Sequence, residues 1–121
     1  LKPTGDQWTR EELLSLGPAL ETHPLFPKRT NVQLAVPTGP RELFILIWER
    51  GAGETQASGS SSCAAAGAAV RLGLVQSPVT VRMPGGALRI EVGNAFQLIM
   101  KGPVAEVARG TLSPSFIRTL K

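Results

Sequence analysis

The sequence predicts an α+β domain, with a mostly antiparallel, barrel-like β-sheet wrapped around one central helix. Three observations lead there. The run from Ser60 to Leu72 is rich in alanine and has almost no polar side until Arg71, so as a helix it belongs inside something. Short apolar segments punctuated by Gly, Pro and Asn lie on both sides of it, which is strand chemistry. The length of 121 residues with 42% hydrophobic side chains suits one domain with an ordinary core.

The elements follow in order. Thr9-Arg10-Glu11-Glu12 has the form of a capping box, and Leu13, Leu14, Leu16 and Leu20 then give an apolar side at helical spacing. Pro18 should kink or restart that helix. His23-Pro24-Leu25-Phe26-Pro27 is a loop with two proline stops. Asn31 to Val36 reads as a strand, Pro37-Thr38-Gly39-Pro40 as a turn, and Glu42 to Trp48 as a strong apolar strand. Gly73 stands where a helix end favours a left-handed residue. Val79 to Met83, Leu88 to Val92 and Phe96 to Met100 read as strands joined by Pro84-Gly85-Gly86 and Gly93-Asn94. Val104 to Thr111 alternates as a final strand would.

Composition excludes several function classes. One cysteine allows no internal disulfide and favours a reducing, cytoplasmic setting, and with His23 as the only histidine a metal cluster is not expected. No run approaches a membrane span. The net charge of +4 raises nucleic acid as a partner, but the basic residues are scattered and the six aromatics include no tyrosine, so none is expected. The start Leu1-Lys2-Pro3-Thr4 lacks Met and any signal pattern, which fits either processing or a fragment whose N-terminal part is absent.

The chemistry concentrates at Trp48 to Ala65, where a strand ends in Glu49-Arg50 before a glycine-rich turn and a helix start. Gly59-Ser60-Ser61-Ser62 opens the helix. Its first N–H groups lack internal partners and suit a carboxylate or phosphate, while the plain alternative is capping by Ser58 or Ser60. Arg50 offers a planar fork for a carboxylate, though a Glu-Arg pair at a strand end is commonly just exposed. Asn31 is a turn residue or an amide donor in a pocket. Cys63, inside the helix, reads as a small buried hydrophobe, and His23 as a surface residue.

These segments together resemble the diaminopimelate epimerase family. Leu16-Gly17-Pro18-Ala19-Leu20-Glu21-Thr22-His23-Pro24-Leu25-Phe26-Pro27 looks like the segment that precedes its Arg-x-Asn-Val run, here Arg29-Thr30-Asn31-Val32. Trp48 to Ala65 is similar to its glycine-rich signature, Met83-Pro84-Gly85-Gly86-Ala87-Leu88 to its Pro-Gly-Gly turn, and Met100-Lys101-Gly102-Pro103 to its Met-x-Gly-Pro.

The resemblance implies a two-lobe isomerase with its active site between lobes, of which residues 1–121 would be the C-terminal lobe, inactive alone. It implies cofactor-independent, PLP-independent interconversion of LL- and meso-diaminopimelate by two-base proton transfer at the α-carbon, in lysine and peptidoglycan precursor synthesis. It implies no metal, the N-terminal lobe as partner, and leaves a homodimer open. By resemblance, Asn31 and Arg50 would hold the distal carboxylate, Glu49 the distal ammonium, and Gly59 and Ser60 the carboxylate on the reacting carbon. Ser58 stands where the family carries a catalytic cysteine. It is a lost base, a weaker acid/base in a native variant, or a sign of different chemistry. The rivals are accordingly another racemase, epimerase or dehydratase of the proline racemase-like superfamily, and a catalytically dead substrate-binding lobe.

Overall fold

The computed structural model describes residues 1–2 and 5–120. Helix α1 spans Arg10–Glu21. Its capping box forms as the sequence predicts, with the Thr9 hydroxyl accepting from Glu12 N at 3.2 Å and the Glu12 carboxylate accepting from Thr9 N at 2.8 Å. The helix runs unbroken through Pro18. Its buried stripe is Leu13, Gly17 and Glu21, spaced four apart, whereas Leu14, Leu16 and Leu20 stay largely exposed. The reason is Trp48. A Cβ at Gly17 would lie 2.7 Å from its indole Cγ, so the helix approaches the sheet through its glycine and not through the leucines.

Strands β1 (Val32–Gly39) and β2 (Glu42–Glu49) pair antiparallel, from Val32 opposite Trp48 to Gly39 opposite Glu42. The turn is Pro40-Arg41, and Pro37 and Thr38 belong to β1. As β1 is an edge strand, the missing Pro37 N–H is tolerated. Strand β3 (Gly53–Thr55), which the sequence reading lacked, folds back along the end of β2. The remaining strands are β4 (Val79–Met83), β5 (Gly86–Val92) and β6 (Leu98–Lys101), giving the order β1-β2-β4-β5-β6 with β3 beside β2. Four of the five pairings are antiparallel. The exception is β2 with β4, which pair parallel from Glu42 opposite Thr80 to Phe44 opposite Arg82.

Helix α2 (Gly59–Arg71) makes the crossover between those two strands and touches β1, β2, β4, β5 and β6. It is therefore the central helix of a mixed, open sheet. Its burial is one-sided: Ser61, Ser62, Ala65, Ala66 and Ala69 are buried, while Ser60, Ala64 and Ala68 are exposed. The mostly antiparallel sheet around a central helix is as the sequence predicts, with one parallel pairing and one helix face left open. Alanine permits this because a bare methyl loses little by facing water. The helix ends in a Schellman motif, with Gly73 at φ +70°, Gly73 N on Val70 O at 3.0 Å and Leu74 N on Ala69 O at 2.9 Å.

Two cores result. Leu43, Ile45, Ile47, Val79, Val81 and Ile90 pack with the alanines of α2, and Leu13, Val32, Leu34 and Leu46 pack on the other side with Trp8, Phe44 and Trp48. Both faces of β2 are thus covered, which is why Glu42–Glu49 reads as a continuous apolar run. Each fully buried Leu, Ile or Val in these layers is worth about 1.5–3 kcal/mol.

The tail differs from expectation. Residues 102–113 form no strand; Val104 and Val107 are 98% and 96% exposed. A short helix α3 (Pro114–Thr119) follows, capped by the Ser113 hydroxyl on Phe116 N at 3.2 Å. Ser113-Pro114 is itself a helix-start pattern.

Candidate active site

Two neighbouring corners carry the residues nominated from sequence. The first is the start of α2. Ser58 is its N-cap, and its hydroxyl accepts from Ser61 N at 3.3 Å and lies 3.3 Å from the Ser60 hydroxyl. The Ser58 carbonyl accepts from the Ser62 amide at 3.1 Å and the Ser62 hydroxyl at 2.8 Å. The capping role thus accounts for Ser58. The N–H groups of Gly59 and Ser60 have no acceptor inside a helix and carry its positive end.

This corner is closed by two close approaches. A Cβ on Gly59 would lie 2.8 Å from the Met100 sulfur, and one on Gly85 2.8 Å from the Gln56 carbonyl. Gly85 N donates to that carbonyl at 2.7 Å, so the Pro84-Gly85 hairpin tip is tied to the segment that leads into Ser58. A cavity of about 280 Å³ lies between them, lined by Ser58, Gly59, Gly85, Gly86 and Leu88 among others.

The second corner lies along the same helix, against β1 and the end of β2. The Gln33 amide donates to the Ser61 hydroxyl at 3.0 Å, and Ser61 in turn donates to Glu49 at 3.1 Å. Arg50 N donates to Asn31 Oδ1 at 2.8 Å, and the Arg50 guanidinium donates to the Lys28 carbonyl at 3.0 Å. A cavity of about 300 Å³ is lined by Thr30, Asn31, Gln33, Ser60, Ser61 and Ala64. Adjacent strand residues diverge here as expected, Glu49 turning to α2 and Arg50 to the Lys28 loop.

The structure therefore joins Asn31 to Arg50, links Glu49 to α2 through Ser61, and puts Ser60 at the second cavity. It does not bring the Arg50 side chain into contact with Ser58. Gln33 and Ser61 are the residues that the sequence reading missed. A polar side chain two residues beyond Asn31 in an apolar strand, and a serine one turn into an apolar helix, were the available clues.

The hydrogen bonds also orient the free ends. Asn31 spends its carbonyl oxygen on Arg50 N, leaving its NH₂ as a donor. Ser61 uses one oxygen of Glu49, leaving the other as an acceptor. Donor and acceptor capacity thus stand together, as a zwitterion would need. Cys63 is half-buried against the main core, and burial pushes its thiol above its ordinary pKa, against a nucleophilic role. His23 lies exposed in its loop, as expected. No helix among the described residues is long and apolar enough to cross a membrane.

The family model described as diaminopimelate epimerase matches residues 6–107. The chain belongs to the diaminopimelate epimerase family. A diaminopimelate epimerase of Desulfitobacterium hafniense is 50% identical over 97 residues, which cover 80% of this chain and 34% of that protein. One of Brucella anthropi is 46% identical over 110 residues, 91% of this chain and 36% of that protein. The chain thus spans about a third of the length of the curated relatives it matches. A phenazine biosynthesis protein of the PhzF family from Bacillus anthracis superposes with a TM-score of 0.56 at 15% identity, over 80% of this chain and 31% of that one. That likeness concerns the fold.

Proposed function

We propose that the chain is the C-terminal lobe of a cofactor-independent epimerase interconverting LL- and meso-diaminopimelate, with the reacting carbon at the start of α2. The observation that carries this reading is the second corner. Of the residues that the family resemblance assigns to the distal end of the substrate, Asn31 accepts from Arg50 N, and Glu49 is tied to the start of α2 through Ser61. The Asn31 NH₂ and Arg50 would take the distal carboxylate, and the free oxygen of Glu49 the distal ammonium. The N–H groups of Gly59 and Ser60 would take the carboxylate at the reacting carbon and stabilise the enolate-like charge that builds up when the α-proton leaves.

Ser58 occupies the position of the base. Its hydroxyl already accepts the Ser61 N–H, and an alcohol ionises far less readily than a thiol of pKa near 8.5. This favours a second reading, a lobe that binds substrate without performing the proton transfer. Inversion also needs a proton donor on the opposite face of the α-carbon, which a second lobe would supply. The test is exchange of the α-proton in D₂O. The 121-residue chain alone should incorporate no deuterium into diaminopimelate. A chimera with the N-terminal part of the Desulfitobacterium hafniense relative should bind it, and the exchange rate separates the two readings. A chimera that folds but does not bind diaminopimelate refutes both.

A further inference from the structure

Glu21 is a carboxylate that the reading above leaves unused. It is 3% exposed and sits in the last turn of α1, where the negative end of the helix repels an acid. A buried charge there needs partners, and Glu21 has several from two other segments. Its Oε2 accepts from the Trp48 indole N–H at 2.7 Å and its Oε1 from Gly51 N at 2.8 Å. Arg29 Nη2 lies 2.8 Å from Oε1, and the backbone carbonyl of Glu21 accepts from Thr30 N at 3.2 Å. Arg29 adopts φ +60°, uncommon for a side chain of its size, with its N–H on the Phe26 carbonyl at 2.7 Å and its guanidinium facing Glu21. One residue thus grips both the loop that ends in Asn31 and the turn that contains Arg50. Those two loops meet at the bond from Arg50 N to Asn31 Oδ1.

We infer that Glu21 is a positioning residue, which fixes Asn31 and Arg50 in register and so sets the affinity of the distal corner for a carboxylate-bearing head group. The inference rests on the function proposed above for its ligand, though not for its geometry. Glu21→Gln keeps the shape but supplies an NH₂ where one of the two N–H donors now finds an oxygen, and it drops the charge facing Arg29. One loop must then let go.

The experiment compares the wild-type 121-residue chain with Glu21→Gln by amide NMR, using meso-diaminopimelate as probe. The Arg50 backbone amide and the Asn31 side-chain amide should shift or broaden in Glu21→Gln, while amides of the far core strands at Val79 and Ile90 stay in place. Affinity for diaminopimelate should fall about tenfold, as expected for a displaced charge-assisted contact. Unchanged Asn31 and Arg50 resonances overturn the clamp, whatever the chain binds. Where the wild type binds diaminopimelate, equal affinity of the two proteins also overturns it. Moved resonances in a chain whose wild type ignores diaminopimelate support the clamp and count against the proposed substrate. Shifts spread equally to Val79 and Ile90 mean a general loss of structure and overturn the assignment of Glu21 to this corner.

Discussion

The Glu21 corner and the start of α2 sit on opposite sides of the β1–β2 hairpin, and they are built differently. At Glu21, donors from β2, the 22–31 loop and the β2–β3 turn converge on one buried carboxylate, and every contact is made within the chain. At the start of α2, the groups with chemical potential face outward. The first helix N–H groups lie at a cavity, Ser60 is exposed, and the only hydroxyl in place of a base is occupied as a cap. The contrast teaches that this scaffold fixes where a substrate would be held, while the reactive centre depends on one side chain and on whatever faces it.

The largest break in that contrast is at Ser58. A thiol there can cap the helix only weakly but can ionise, so Ser58→Cys in the two-lobe chimera should raise α-proton exchange by about 10²-fold or more, the usual contribution of a general base. Ser58→Ala should leave exchange at the wild-type level if the hydroxyl is only a cap, and cost about 1 kcal/mol of stability. Deuterium incorporation followed by mass spectrometry gives the rates. Similar rates in all three proteins would remove position 58 from the chemistry.

Next in size is the holding corner. Arg50→Ala should weaken diaminopimelate binding by about 10- to 100-fold, the worth of a hydrogen bond to a charged group at 1.5–3 kcal/mol. Arg118→Ala, on the exposed α3, should leave it unchanged. Calorimetric titration of the chimera decides, and equal dissociation constants would take Arg50 out of the site.

A smaller effect tests the scaffold itself. Gly17→Ala gains about 1 kcal/mol of helix propensity but places a Cβ 2.7 Å from Trp48 Cγ, close to its backbone where little can yield. Overpacking of this kind costs about 1–3 kcal/mol, so the net change should be a loss of about 1 kcal/mol in urea unfolding. Moving Trp48 would also pull its indole from Glu21, so the Arg50 amide should move in this variant as well. A stabilised protein would mean that α1 can lift from the sheet freely.

Much of the scaffold was legible because its causes are local. Thr9 and Glu12 cap within four residues, Gly73 closes a helix end beside it, and Pro84-Gly85 turns between two paired strands. The apolar run of β2 marked it correctly as a strand, though not that α1 and α2 cover its two faces. Glu21 was illegible because its partners Trp48 and Gly51 lie 27 and 30 residues away, and an acid at a helix end looks like surface. The alternation in 104–111 misled for the opposite reason: the pattern is local, but a strand needs a partner, and this segment pairs with none of the described strands. At the site, Asn31 and Glu49-Arg50 stood out by type and place. Gln33 and Ser61 did not, since only the crossing of β1 and α2 makes them neighbours.

The smallest expected effect is an acid shift, and it bears on the Glu21 side of the contrast. The Trp48 indole, then the Gly51 N–H, and the charges of Arg29 and Arg50 hold its carboxyl below the ordinary carboxylate value, against the opposing pull of burial. The native state therefore binds fewer protons there than the unfolded chain, whose Glu titrates near about 4.3. The stabilisation is complete above that pH and is lost as pH falls through the lower native value. Glu12, Glu42, Glu54 and Glu91 are also held low by their own cationic partners, so acid unfolding alone does not isolate Glu21. Glu21→Gln does, because it keeps the other four. Wild type should exceed Glu21→Gln in stability from pH 7 down to about pH 5, and the gap should close steadily below about 4.3. Urea midpoints at half-unit steps of pH give the two curves. Parallel curves across the whole range would mean that Glu21 loses no interaction on protonation, and that its partners hold it by shape and not by charge.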